Sequence, residues 1–343
     1  MESTKRNEDI SLAESCSDSD VINHNEKQKS AKPKPPFMGF GMLCCILTSV
    51  LFAVNALMVK MVKSIGPIEV LGARCWVQFF MLLPFITYNW MHNKVDFLGP
   101  RNTFKLLCLR SLTGSTAAMF LYQSLQRLPL GDAVTISFLS LVFTMLFAAV
   151  FLNERPTVLD IIFSIVIIAG VVLVAQPPFL FDSSVTYDTE RLYGTIFGIL
   201  CSAMAGVTFV IVRKLGIATH ATLNVFYYSF AGSITSLIFT TTIETFKFPC
   251  SSEIQYIIFA GIAGCGAQIF MALALQYERA GTFSMLKSFQ IILSFAFQVI
   301  ILQDIPSSLS LGGAALVFAS IFGIAVRKIY NEYFKGPKLG CKK

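Results

Sequence analysis

Residues 114–131 read GSTAAMFLYQSLQRLPLG, and residues 264–281 read GCGAQIFMALALQYERAG. At a shift of 150, Gly114, Ala117, Phe120, Leu125, Gln126 and Gly131 fall on Gly264, Ala267, Phe270, Leu275, Gln276 and Gly281. The register holds downstream, where Phe147, Leu152, Pro156, Leu159, Ala169 and Ala175 fall on Phe297, Leu302, Pro306, Leu309, Ala319 and Ala325. Apolar helices resemble one another by chance, but Asn153-Glu154-Arg155-Pro156 also meets Gln303-Asp304-Ile305-Pro306 at a polar joint, where hydrophobicity does not force the letters. Upstream, a shift of 153 sets Val54, Val59 and Lys60 on Val207, Val212 and Arg213. The chain therefore reads as a duplicated unit, residues 37–176 and 192–328, joined by a linker over 177–191.

Composition says what kind of unit it is. Of 343 residues, 55% are hydrophobic and 14% charged, against roughly 45–50% and about 25% in soluble domains. That deficit of charge excludes a soluble enzyme, a disordered protein and a nucleic-acid-binding module, despite the net charge of +7. Apolar runs fall near residues 38–59, 68–89, 104–125, 131–152, 157–176, 192–213, 222–243, 254–276, 281–303 and 308–326. Each has about twenty residues, enough to cross a ~30 Å hydrocarbon core as a helix. Prolines mark the joints, and Pro84 alone lies well inside a span, where it predicts a kink. The fold class is thus an all-α polytopic membrane protein with ten transmembrane helices. Five spans per unit is an odd number, so the second copy sits upside down on the first. Inverted five-helix repeats are the mark of secondary transporters that hold substrate near the midplane.

Orientation follows from the lysines and arginines. With a cytosolic N-terminus, the inner segments carry 19 of them and the outer segments five, while Arg74, Arg110 and Lys287 lie within spans. Both termini are expected in the cytosol, in a plasma membrane or an ER or Golgi membrane. Residues 1–36 are polar and predict a disordered tail without a signal peptide, and 329–343 a basic tail. The nine cysteines are scattered and mostly within spans, so they form neither a disulfide framework nor a metal site. No cofactor or metal is expected. The expected partners are a small anionic molecule and the lipid bilayer, with a homodimer left open.

The five-plus-five layout resembles the drug/metabolite transporter superfamily with EamA-type repeats, and more narrowly the G subfamily of solute carrier family 35. Pro177-Pro178-Phe179-Leu180-Phe181, Gly266-Ala267-Gln268-Ile269-Phe270, Ala274-Leu275-Gln276, Ala280-Gly281 and the Arg327-Lys328 exit carry the likeness, which covers residues 37–330. The resemblance implies transport of a small metabolite. Family members that move nucleotide sugars carry a Gly-Ala-Leu-Asn-Lys-type run in the ninth span. Here it reads Phe283-Ser284-Met285-Leu286-Lys287, and only the lysine is kept.

Ionisable side chains inside lipid cost about 2.5–3.5 kcal/mol each on insertion scales, so each marks a candidate site. Lys287 heads a stripe with Gln290, Ser294 and Gln298 on one helical face. Its repeat mate offers Ser137, Ser140 and Thr144, and two such faces predict a shared polar cavity. Arg74 and Gln78 form an (i, i+4) pair on the second span, and Arg110 stands on the third ahead of a small-residue run. Asn55, Tyr227, Tyr228 and Gln268 are candidate hydrogen-bonding groups, the tyrosines matching an aromatic pair that related transporters carry there. Lys60 and Arg213 read as interfacial anchors, and Glu154, Asp132, Asp160 and Asp304 as helix N-terminal signals. The only ionisable groups well inside spans are cationic, which predicts a secondary transporter of a small organic anion, a di- or tricarboxylate or a phosphorylated metabolite, working by alternating access. A nucleotide-sugar carrier and a non-transporting membrane regulator on the same fold are the alternatives. No catalytic motif is present.

Overall fold

The computed structural model describes residues 40–93, 104–151, 157–176, 189–215, 221–243, 247, 249–277, 283 and 286–334. Expectations for residues 1–36, the 153–156 joint, most of the 177–191 linker and the tail beyond 334 fall outside them. The helical segments, in order, are α1 (Phe40–Met61), α2 (Pro67–Asn93), α3 (Phe104–Arg127), α4 (Leu130–Ser137), α5 (Ser140–Phe151), α6 (Val158–Ala175), α7 (Thr189–Leu215), α8 (Ala221–Ile243), α9 (Ser251–Tyr277), α10 (Phe289–Ile300) and α11 (Ser308–Phe334). Because α4 and α5 are halves of one span, these segments fill the ten expected positions.

Among the described residues, six spans are long and apolar enough by themselves to cross a membrane. Neither α3 nor α8 is among them. α3 carries Lys105, Arg110 and Arg127, and α8 carries Asn224, Tyr227, Tyr228 and a run of Ser and Thr. Protein covers their polar faces: α3 packs on α1, α2, α4, α7 and α8, and α8 on α2, α3 and α9. On α8, Tyr228, Ser229, Ser233 and Ser236 are buried while Phe230, Ile234, Leu237 and Ile238 are exposed. That is the reverse of a helix in water and the pattern of one that hides its polar side from lipid.

The packing repeats under exchange of the two halves. α1 packs on α9 as α7 packs on α3, the two second helices α2 and α8 pack on each other, and so do the two fifth helices α6 and α11. Residue pairs obey the same rule at the 150-residue shift. Phe163 sits against Gly323, and the equivalent pair, Gly313 with Leu173, is also in contact. Ring stacking of Phe120 on Phe197 and the Arg127–Glu190 ion pair, at 3.2 Å, run α3 antiparallel to α7. Most inter-helix packing therefore joins one half to the other, as two interleaved inverted repeats require.

Both fourth spans depart from the continuous helices that hydropathy predicts. The first breaks at Phe138–Leu139, between α4 and α5, and the second has a turn at Ser288, just before α10. These positions are repeat mates. At the first break the backbone tightens into i−3 bonds, Phe138 N to Thr135 O at 3.1 Å and Leu139 N to Ile136 O at 3.0 Å. Ser137 Oγ donates to Val134 O at 2.6 Å and Thr144 Oγ1 to Ser140 O at 2.6 Å. Such local side-chain bonds compete with the helix ladder and bend it.

Several capping expectations are realised and others are redirected. Asp160 forms a capping box with Thr157 at the start of α6 and pairs with Arg327 at 2.9 Å. Asp132 stands in the first turn of α4 and also ties helices together: it accepts from Ser310 Oγ on α11 and lies 3.7 Å from Arg191 on α7. Lys60 Nζ donates to the Leu125 and Leu128 carbonyls at 2.6 and 2.7 Å, capping the C-terminal end of α3.

Candidate functional site

Arg74 and Gln78 lie one turn apart on α2, and both are buried. At the 150-residue shift their mates are Asn224 and Tyr228 on α8, the helix that packs against α2. Across that contact Arg74 meets Tyr228 and Gln78 meets Ser229. Arg74 Nη2 donates to Tyr228 Oη at 2.8 Å, and Ser229 Oγ donates to Gln78 Oε1 at 3.3 Å. The guanidinium also lies 5.3 Å from the Tyr122 ring centroid and 5.9 Å from that of Tyr228. Tyr122, on α3, donates its hydroxyl to Asn55 Oδ1 on α1 at 3.0 Å. Asn55 Nδ2 reaches the Ala260 carbonyl on α9 at 3.4 Å.

α9 closes this cluster with a glycine. A Cβ on Gly264 would lie 2.6 Å from Arg74 Nη1, 2.7 Å from Gln78 Nε2 and 3.1 Å from Asn55 Nδ2. Three side-chain nitrogens from two helices thus converge on the strip that Gly264 leaves bare. The mirror glycine, Gly114, faces the Tyr228 ring at 3.3 Å instead. The two halves present nitrogen donors on one side and aromatic carbon on the other. Arg74 Nε and Gln78 Nε2 are buried with no hydrogen-bond partner. Among the described residues no carboxylate pairs with Arg74. An acceptor oxygen is the group that would satisfy such donors, since nitrogen–hydrogen groups with no acceptor are costly in a dry interior.

Arg110 lies one turn before Gly114 on α3 and is also buried. Its Nη1 donates to the Asn224 carbonyl at 3.0 Å, while its Nε and Asn224 Oδ1 are buried without a partner. Arg110 is thus held at the α3–α8 contact, next to the helix that carries Tyr228.

Lys287 forms a second cluster. It sits immediately before the Ser288 turn, and Ser49 Oγ on α1 donates to the neighbouring Leu286 carbonyl at 2.9 Å. Its Nζ lies 5.5 Å from the ring centroid of Phe52, 5.8 Å from that of Phe138 and 5.1 Å from that of Phe209. Among the described residues it has no hydrogen-bond or ion-pair partner. Helix α1 connects the clusters, because Ser49, Phe52 and Asn55 follow at three-residue spacing and touch Leu286, Lys287 and Tyr122 in turn. Discontinuous helices are where secondary transporters typically form their sites, and Lys287 lies beside both repeat-related breaks.

The structure brings Arg74, Gln78, Asn55 and Tyr228 together and sets Lys287 beside them along α1. Tyr227 is not in the cluster; it packs its ring on Phe104 and Phe226. Gln268 is buried one turn beyond Gly264 and makes no hydrogen bond among the described residues. Gln290 is half-buried on α10, and Ser294 Oγ donates back to its carbonyl at 2.8 Å. Gln298 accepts from Gly131 N at 2.8 Å and donates to Asp304 at 3.1 Å, so it fastens α4 to the joint after α10. The side chain of Arg213 is outside the described residues. Sequence reading missed Tyr122 and the three phenylalanines. Tyr122 had one usable signal, since its repeat mate is Ala272 and the repeat is otherwise well kept there.

The EamA-like transporter family matches residues 39–176 and again 192–326. Solute carrier family 35 member G1 of Homo sapiens is 36% identical over 310 residues, covering 89% of this chain and 84% of that protein. Its counterpart in Mus musculus is 33% identical over 306 residues, covering 88% and 82%. A solved crystal structure aligns with a TM-score of 0.60 over 84% of this chain and 97% of its own, at 15% identity, a likeness that speaks to the fold alone.

Proposed function

This chain belongs to the EamA-like transporter family and is a multi-pass membrane transporter; we propose that its cargo is a small organic anion, a di- or tricarboxylate or a phosphorylated metabolite. The observation that carries the reading is the convergence of Arg74 Nη1, Gln78 Nε2 and Asn55 Nδ2 on Gly264 with no acid beside them. Arginine binds carboxylate and phosphate through a planar fork, and Lys287 adds a point charge beside the helix breaks. In a water-poor interior, an unpaired cation makes the site selective for negative guests. Alternating access follows from the interleaved halves: the anion sits between them, and rocking of one on the other turns it from one face to the other. The positive-inside pattern sets both termini in the cytosol, in the plasma membrane or an ER or Golgi membrane.

Counterflow in proteoliposomes tests the reading. Vesicles loaded with succinate, citrate, glucose 6-phosphate or a nucleotide sugar should accumulate one of the first three in labelled form. Lys287→Ala should abolish that accumulation while the protein still elutes as a monodisperse peak. Full transport by the variant, or exchange of none of these anions by the wild type, overturns the proposal.

A further inference from the structure

The four residues of the Lys287 cluster break the repeat. Phe52 and Phe209 have Ala205 and Ala56 as mates at the 153-residue shift, and Phe138 and Lys287 have Ser288 and Ser137 at 150. One side of the pseudo-symmetric contact between the halves thus has three rings and an ammonium where the equivalent side has small residues. The rings come from α1, the α4–α5 break and α7, so both halves contribute to the cage. All three centroids lie between 5.1 and 5.8 Å from Nζ, inside the range at which a ring quadrupole attracts a cation.

We propose that Phe52, Phe138 and Phe209 form an aromatic cage that stands in for the anion whenever the carrier reorients without cargo. The inference rests on the anion reading above and adds a transport mode to it. A carrier that returns unloaded must take the Lys287 ammonium through an occluded state with neither water nor a counter-anion. Rings are neutral, so they offset part of that cost without competing for the cargo as a carboxylate would. Their effect is also largest where it is needed, since a cation–ring contact strengthens severalfold when water is removed. With the cage, net uptake is open to this protein as well as exchange. Without it, the carrier can cross readily only when loaded.

Comparing two flux modes tests this. Net uptake into unloaded vesicles includes the unloaded return, whereas exchange with internal anion does not. The probe is whichever of succinate, citrate or glucose 6-phosphate the wild type exchanges. Phe52→Leu and Phe209→Leu are the variants of choice, because these rings are half-buried whereas Phe138 is part of the packed core. Each should slow net uptake by about fivefold to tenfold while exchange changes less than about twofold. Phe52→Tyr and Phe209→Tyr keep a ring and should restore the wild-type ratio of the two modes. If the leucine variants lower both modes in parallel, or leave the ratio unchanged, the cage has no such role and is overturned. If the wild type exchanges no anion, the anion reading itself has failed, and the cage proposal fails with it. Wild-type exchange of an anion therefore separates the two failures.

Discussion

A methyl group on Gly264 would sit 2.6 Å from Arg74 Nη1, and one on the repeat-related Gly114 would sit 3.3 Å from the Tyr228 ring. The two glycines are equivalent by sequence and unlike by neighbourhood, which makes a controlled comparison. In Gly264→Ala the atoms that must give way are the ends of side chains, so the fold survives, but the donors are pushed off their common focus. Transport should fall at least tenfold, mainly through a raised KM, because a site misplaced by about an ångström loses most of its binding geometry. Gly114→Ala asks only a few tenths of an ångström of an aromatic ring and should keep transport within about threefold of wild type. Measuring both in the same vesicles, with melting temperatures alongside, distinguishes loss of the site from loss of the fold. Much of this site was legible beforehand because lipid leaves ionisable residues few places to be: Arg74, Gln78, Asn55, Tyr228 and Lys287 all announce themselves as polar letters in apolar runs. Phenylalanine does not. In a chain with thirty-two of them, nothing in the letters distinguishes Phe52 or Phe209 from a lipid-facing residue.

At the scale of helices, the same contrast separates what the repeat dictates from what local bonding decides. Spans, joints and the inversion of one half on the other follow from hydropathy and the repeat. The breaks at Phe138 and Ser288 do not, because neither contains the proline or glycine that marks a kink, and the serine hydroxyls that turn the backbone there are common within membrane helices. The α6–α11 crossing shows how sharply an element can depend on glycine. A Cβ on Gly313 would lie 2.5 Å from the Gly170 carbonyl oxygen, and one on Gly170 would lie 2.8 Å from the Gly313 oxygen. These are backbone atoms and cannot rotate aside, so any side chain forces the helices apart. Gly313→Leu should cost upwards of about 2 kcal/mol and lower the melting temperature in detergent by several degrees. Gly312, with nothing within 4 Å of its Cβ position, supplies the control: Gly312→Ala should leave the melting temperature unchanged. Equal effects at the two neighbours would show that the crossing does not depend on close contact of these backbones.

For the whole molecule, interleaving of the halves has a consequence for orientation. When each helix packs chiefly on its counterpart's half, no single span can insert backwards without undoing the others, so one charge pattern fixes the entire chain. The excess of lysine and arginine predicts that the ends of α2, α5, α7 and α9 lie with the termini, and the ends of α1, α3, α6 and α8 on the opposite side. The chain carries its own reporter of this. Cys250 is exposed in the joint between α8 and α9, while Cys16 and Cys341 lie in the tails. In sealed vesicles that present the non-cytosolic face, an impermeant maleimide should label the protein, and Cys250→Ser should remove that label. Opening the membrane should add the tail cysteines. If Cys250 reacts only after permeabilisation while the tails react before, the molecule is inserted the other way up. The anion proposal does not depend on that outcome, since Arg74 meets Tyr228 and Lys287 meets Phe52 and Phe138 across the contact between halves in either orientation, but the direction in which cargo first meets them is reversed.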